Sequence, residues 1–290
     1  MLSSLPLSAS AKLKVVTTTT DLAALTREVG GELVEAESLC RSDQDPHHLE
    51  PKPGYAVKLN RADLLIEVGL QLEVGWLPVL LTQSRNPQIR AGGRGHLNAS
   101  EGVRRLEIPA GPIDRSQGDV HPEGNPHYWL NPENGLEITK RIKERLQELD
   151  PENSLAYERN WEIFSSRLTM KMAEWRRRAS SLRGKKIITH HKSFSYLVDW
   201  TGLDVRDQIE PKPGIPPSPA HLMRLLSLIR REKIPLIVTE NYYDPRPARE
   251  LSERTGAKYL ILPISVDGEK GLDSYEKLFD ALLAKLAGSL

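Results

Sequence analysis

Eight histidines are spread along the chain, and three of their positions share a setting in which they could act together. His47 and His48 follow Asp45-Pro46 and precede the turn-forming Pro51-Lys52-Pro53-Gly54. His127 stands just ahead of Asn131-Pro132, and His190 and His191 close a short apolar run. Neutral imidazole is the commonest protein ligand for metals, and three imidazoles with a fourth position left to water or oxygen make a recognised zinc arrangement. A lone loop histidine is more often a hydrogen-bonded surface residue, so it takes several in comparable places to indicate a site. Successive side chains of an extended segment face opposite ways, so only one member of each doublet need point inward, leaving His48 and His190 as solvent-facing neighbours. His96 and His121 fall in residues 91–125, rich in glycine and poor in apolar side chains, which read as a long mobile surface loop. Each is either a solvated polar residue or part of a weak metal-capturing arm. His221, early in a helical pattern, reads as structural.

Two acidic residues are candidates beside the histidines. Glu240 ends a strand-like run and Asp267 lies in the loop of residues 263–271. Either carboxylate could complete a coordination shell. Glu240 is the better candidate for orienting a histidine through its second ring nitrogen, and Asp267 equally suits a turn with Gly268.

The elements that position these groups follow from hydrophobic patterning. Strands are predicted near residues 14–18, 33–38, 63–68, 186–189, 236–239 and 259–262, alternating with helical patterns, which is the mark of α/β units with a mainly parallel sheet. The histidines sit at strand ends and loop-to-helix junctions, the rim on which open parallel sheets place ligands. Asn131-Pro132-Glu133-Asn134 and Asp150-Pro151-Glu152-Asn153 each put a capping residue before a proline and an acid in the first turn, so two helices start there. The second keeps Tyr157, Trp161, Phe164, Leu168, Met172 and Trp175 at spacings of three and four, with no glycine or proline before Gly184. That is about eight turns, or roughly 45 Å, long enough to be a spine between two lobes. The expected organisation is a residual leader at 1–11, an N-terminal lobe at 12–149, a linker helix at 150–182 and a C-terminal lobe at 183–290. Ser218-Pro219 and Asp244-Pro245 begin further helices, the latter ending at Thr255-Gly256.

Composition narrows the function classes. With 290 residues, 39% hydrophobic and 27% charged, the chain has the balance of an ordinary globular protein, and a net charge of +1 argues against a nucleic-acid partner. The single Cys40 cannot form an internal disulfide or a cysteine-rich zinc site. No apolar run approaches the roughly 18–20 residues that span a bilayer. Ala9-Ser10-Ala11 resembles a secretory cleavage site without its basic leader, which favours export.

In order along the chain, five segments resemble a known family. They are Asp45-Pro46-His47 with Glu50-Pro51-Lys52-Pro53; Asn125-Pro126-His127-Tyr128-Trp129-Leu130-Asn131-Pro132-Glu133-Asn134; Ile188-Thr189-His190-His191-Lys192-Ser193-Phe194-Ser195-Tyr196; Ile209-Glu210-Pro211-Lys212-Pro213-Gly214; and Thr239-Glu240-Asn241-Tyr242-Tyr243-Asp244-Pro245. Together they are similar to the zinc- and manganese-binding solute receptors of ABC importers, the ZnuA/TroA-like family, over nearly the whole chain from Lys12. The resemblance implies two α/β lobes with mainly parallel sheets, joined by one long rigid spine helix and gripping a metal between them. It further implies a high-affinity periplasmic receptor that delivers its ion to a membrane permease and is not an enzyme; a monomer is expected.

Carried over residue by residue, the resemblance gives His47 and His127 as ligands from the first lobe and His191 from the second. The family varies between His and Glu at the third position, and His191 resembles the zinc-preferring members. Zn²⁺ is therefore expected over Mn²⁺, in keeping with the preference of manganese for carboxylate oxygens. Three features depart from the family. Pro263 stands where an acidic fourth ligand is common, leaving water, Glu240 or Asp267 for that role. The long His-rich loop is reduced to His96 and His121. No lipobox cysteine precedes Lys12, so a soluble periplasmic form is expected rather than a lipoprotein. Two other readings share the same histidines. One is a three-histidine zinc hydrolase or hydratase with Glu240 as general base, against which stands the lack of an HExxH helix or nucleophile elbow. The other is a metal-stabilised surface adhesin.

Overall fold

The computed structural model describes residues 11–111, 118 and 120–290. Its eight strands are β1 (Leu13–Thr17), β2 (Val34–Ser38), β3 (Leu64–Glu67), β4 (His96–Asn98), β5 (Lys186–Thr189), β6 (Asp204–Gln208), β7 (Leu236–Glu240) and β8 (Lys258–Leu262). The helices are α1 (Thr20–Gly30), α2 (Pro53–Asn60), α3 (Leu77–Ser84), α4 (Pro132–Leu149), α5 (Ser154–Ala179), α6 (Ser195–Thr201), α7 (Pro219–Glu232), α8 (Arg246–Thr255) and α9 (Tyr275–Ser289). Among the described residues no helix is long and apolar enough to cross a membrane.

The strands form two four-stranded sheets of order β2-β1-β3-β4 and β6-β5-β7-β8, parallel throughout. Each sheet runs from a central strand to one edge and then crosses to the other side. The reversal falls between β1 and β3 in one lobe and between β5 and β7 in the other. A crevice opens at such a point, outside the carboxyl ends of the strands.

Alternation along the central strands divides the core. Val15, Leu64, Ile66, Leu236 and Val238 belong to one large hydrophobic cluster that runs through both lobes. Their neighbours Val16 and Leu65 fall in a second cluster, and Ile237 in a third, because successive side chains leave opposite faces of a strand. Both sheets thus turn one face to a shared core.

That core is organised by α5, whose 26 residues span roughly 39 Å. Its buried stripe is Tyr157, Phe164, Leu168, Met172 and Trp175; Trp161 is half-buried beneath the Lys143 ammonium, 4.4 Å from its ring. The helix packs against α1 and α4 of one lobe and α9 of the other. It starts later than expected, because Pro151–Asn153 makes a separate 3-10 turn, tied by Asp150 Oδ2, which accepts from Asn153 Nδ2 at 2.8 Å and Tyr157 OH at 2.7 Å. The capping signals of α4 and α7 act as read, with Asn131 accepting from the Glu133 amide and Ser218 from the His221 amide. Gly256 ends α8 in the left-handed region at φ 80°.

Two edge strands escaped the sequence reading. β4 has three residues, and β6 reads Asp-Val-Arg-Asp-Gln with every position partly exposed, so neither carries an apolar run. The stretch 91–125 is therefore not one loop. His96 lies on β4, partly buried, with its Nε2 3.1 Å from Glu67 Oε1, and is neither solvated nor part of an arm.

Candidate metal centre

The same local device builds two of the histidines. In Asp45-Pro46-His47 and Asn125-Pro126-His127 the first side chain folds forward, as Asp and Asn do in turns. Asp45 Oδ1 accepts the His47 backbone N–H at 2.9 Å and its ring Nδ1 at 2.7 Å. Asn125 Oδ1 accepts the His127 N–H and Nδ1, each at 2.9 Å. The Asn125 amide cannot be turned around, because its Nδ2 donates to the Lys192 carbonyl at 2.8 Å and to Glu107 Oε2 at 3.2 Å. His191 follows β5 in extended backbone, and its Nδ1 lies 2.7 Å from Glu210 Oε2, a carboxylate just beyond β6. Each acceptor holds a proton on Nδ1 and so leaves Nε2 as a lone pair.

The three rings converge. Their centroids are 5.2 Å apart for His47 and His127, 5.5 Å for His47 and His191, and 5.6 Å for His127 and His191. One ring nitrogen from each lies within 4.8 Å of the others, and all three residues are buried. His127 Nε2 is a buried polar atom with no hydrogen-bond partner, the state expected of a group built for a ligand rather than for the fold. Burial, and then the neighbouring His47 and His191, hold the His127 imidazole neutral well below its usual range. The Asp45 carboxyl is lowered despite its burial, because His47 donates to it. A tetrahedral zinc ion, with Zn–N of roughly 2.0–2.1 Å, fits among three such lone pairs after a small inward movement.

The remaining candidates separate. His48 is exposed, as expected. His190 is not solvent-facing: it is buried, stacked 4.4 Å from the Tyr243 ring, with Nδ1 3.1 Å from Thr239 Oγ1, and burial lowers its pKa to about 4. Glu240 does not orient a histidine. Both its carboxylate oxygens are buried without a hydrogen-bond partner, and burial pushes its carboxyl up to about 8, with nearby Ser193 offsetting part of the rise. Asp267 is exposed in a turn at φ 63°, and its backbone carbonyl accepts from Ser42 Oγ at 2.7 Å; it stands outside the convergent donors. His221 is bonded to the Gln208 carbonyl and to Arg224. His121 comes to 3.2 Å from His47 and is half-buried, not solvated.

Sequence reading gave no role to Asp45, Asn125 or Glu210, and gave His121 only as a solvated residue or part of a weak metal-capturing arm. The repeated Asp/Asn-Pro-His pattern was a usable signal for the first two. Glu210 has no such local signal, since it meets His191 only through space.

Fold and site together define a two-lobed metal-binding protein with its histidines drawn from both lobes. The chain belongs to the ZnuA family: the family model described as zinc-uptake complex component A, periplasmic, matches residues 15–289. It is 30% identical over 292 residues to the manganese ABC transporter substrate-binding lipoprotein PsaA of Streptococcus pneumoniae, covering 98% of this chain and 90% of that one. It is also 30% identical to the metal ABC transporter substrate-binding lipoprotein FimA of Streptococcus parasanguinis, covering 97% and 90%. Among solved structures, a crystal structure of ZnuA matches with a TM-score of 0.80 at 23% identity, covering 96% of this chain and 99% of that one. A manganese-bound periplasmic metal-binding protein of Candidatus Liberibacter asiaticus, an S38A mutant, matches at 0.79 and 22% identity, covering 96% and 100%. These likenesses place the fold. The streptococcal relatives are named lipoproteins, unlike the unanchored form expected from the sequence, and residues 1–10 of the leader expected at 1–11 lie outside the described residues. Family membership sets the hydrolase alternative aside.

Proposed function

We propose that this chain is the exported metal receptor of an ABC importer, that it carries Zn²⁺ in preference to Mn²⁺, and that His47, His127 and His191 ligate the ion. The reading is carried by one observation. Three buried imidazoles from two lobes aim at one space, each with its proton assigned to Nδ1 by Asp45, Asn125 or Glu210. Among the described residues no carboxylate oxygen joins that group of donors. An all-imidazole set suits zinc, whereas manganese favours oxygen ligands. The family's description as a zinc-uptake component supports the ion, and the names of the streptococcal relatives support the transporter.

Handover follows from the packing. One hydrophobic core runs through both lobes, and α5 touches helices of each, so wide separation of the lobes would expose buried apolar surface. The ion enters and leaves by local loop movement at the rim, and a membrane permease takes it there. The receptor acts as a monomer.

Titration of chelator-stripped protein with Zn²⁺ and Mn²⁺, on wild type and His191→Ala, tests this. One tight zinc site, weaker manganese and a large loss in the variant are expected. Manganese binding as tight as zinc overturns the ion assignment, and the absence of any binding overturns the receptor.

A further inference from the structure

We propose that Tyr196 and Asn125 form a latch between the lobes that retains the ion, with Tyr196 a positioning residue that acts on His127 through Asn125; the proposal rests on the receptor reading above. Tyr196 belongs to α6 of the second lobe, and its hydroxyl is seated between two backbone groups of the first. It accepts the Leu106 N–H at 3.0 Å and donates to the Asn125 carbonyl at 2.9 Å. The same two residues of the first lobe are joined directly, the Asn125 N–H donating to the Leu106 carbonyl at 2.8 Å. Tyr196 is 1% exposed, and burial raises its pKa, so the phenol keeps the proton it donates. Without that hydroxyl two backbone groups beside the site lose their partner, which is costly where water does not replace it.

Asn125 carries this constraint to both ligand-bearing segments. Its Oδ1 accepts from His127 Nδ1, and its Nδ2 donates to the carbonyl of Lys192, the residue after His191. One amide therefore faces a first-lobe ligand with its oxygen and a second-lobe segment with its nitrogen. The two Pro-His turns differ for this reason. Asp45 needs only to accept from His47, whereas a carboxylate at position 125 would still hold the His127 proton but would set an oxygen against the Lys192 carbonyl and Glu107. Glu107 closes the outer side of the latch. Its Oε2 accepts from Asn125 Nδ2 at 3.2 Å and its Oε1 from Ser195 Oγ at 3.0 Å, with Lys192 Nζ 3.7 Å from Oε2. Its backbone is left-handed at φ 55°, a conformation that residues other than glycine seldom take and that persists where the surroundings fix it.

The latch borders a way out for the ion. Glu107, Asn125 and Lys192 line, together with His127 and His191, a cavity of about 360 Å³. Other links, such as Trp129 Nε1 to the Ile264 carbonyl and the Val266 N–H to Asp21, join the lobes without passing through Asn125. Opening the latch therefore frees this wall, and with it the segments that carry His127 and His191, while the lobes stay together on their common core. The latch acts on how long a bound ion stays, not on how fast it arrives.

Stopped-flow transfer of zinc to a chelator measures the release rate, and X-ray absorption at the zinc edge counts bound imidazoles. Wild type, Tyr196→Phe and Asn125→Asp are compared, with metal-free melting as a check on folding. Both variants should release zinc roughly tenfold to a hundredfold faster, the scale seen when the groups around a metal's ligands are altered, with the association rate little changed and the wild-type imidazole count kept. A fold weakened in general would instead lower the fraction of chains that bind. A wild-type release rate in Asn125→Asp overturns the latch. So does the loss of an imidazole in that variant, which would place the effect on His127 alone; in either case the three-histidine receptor stands. If Asn125→Asp melts below the assay temperature, the release rate of Tyr196→Phe decides on the same terms. Failure of wild type to bind zinc removes the receptor and this proposal together.

Discussion

Glu210 Oε2 lies 2.7 Å from His191 Nδ1, both side chains buried, and the same oxygen accepts the Gly214 N–H. A carboxylate only accepts, so it holds the ring proton on Nδ1 and turns the Nε2 lone pair toward His47 and His127. Glu210→Ala should weaken zinc binding by roughly 10–100-fold. Glu210→Gln should lose less, since its amide oxygen can still accept from Nδ1. Chelator competition on both variants checks this, and wild-type affinity in Glu210→Ala would show that the ring is oriented by something else.

His127 Nε2 is buried without a partner, so an ion that binds it stabilises only the folded chain. At a free zinc concentration a thousand times Kd, linkage gives about 4 kcal/mol of added stability. Calorimetric melting with and without zinc should show that rise in wild type and none in His127→Ala. A zinc-dependent rise that survives in the variant would move the principal site elsewhere.

Glu240 makes stability depend on pH. Its folded-state pKa is raised by burial from 4.5 to about 8, so the folded chain keeps a proton that the unfolded chain releases. Its contribution is intact below about 4.5 and declines as pH rises toward about 8, by up to roughly 1.4 kcal/mol per unit. Glu240→Gln is neutral at every pH. Denaturant unfolding of metal-free protein should show the variant gaining on wild type steadily from pH 5 to pH 8, and a gap that stays constant across that range would refute the assignment.

Gly135 lies in α4, facing Leu168 of α5 and Tyr275 at the start of α9. A Cβ there would meet Tyr275 Cε1 at 2.7 Å and Leu168 Cδ2 at 3.2 Å. Tyr275 cannot easily retreat, because its hydroxyl donates to the Trp129 carbonyl at 2.5 Å. Gly135→Ala should gain up to about 1 kcal/mol in helix propensity and lose about 1–3 kcal/mol to overpacking. A net fall in unfolding free energy is expected; a more stable variant would show that Tyr275 and Leu168 can give way freely.

Much of the frame was legible because its causes are local. The stripe from Tyr157 to Trp175 repeats with the helical period, Asn131 and Ser218 cap through atoms two or three residues away, and the central strands are apolar on both faces. β4 and β6 were not legible, since an edge strand is held by its neighbour's backbone and needs no apolar pattern of its own.

The site divides in the same way. Sequence alone placed the histidines at strand ends and loop-to-helix junctions, and the Asp/Asn-Pro-His turns carry two of their orienting oxygens with them. Only the tertiary structure decided that His191 is served by Glu210, 19 residues away and not by Glu240, that His190 is buried against Tyr243, and that His121 meets His47 across 74 residues. Those relationships depend on how two lobes close around α5, and such contacts arise from packing between distant segments, which no local pattern of residues encodes.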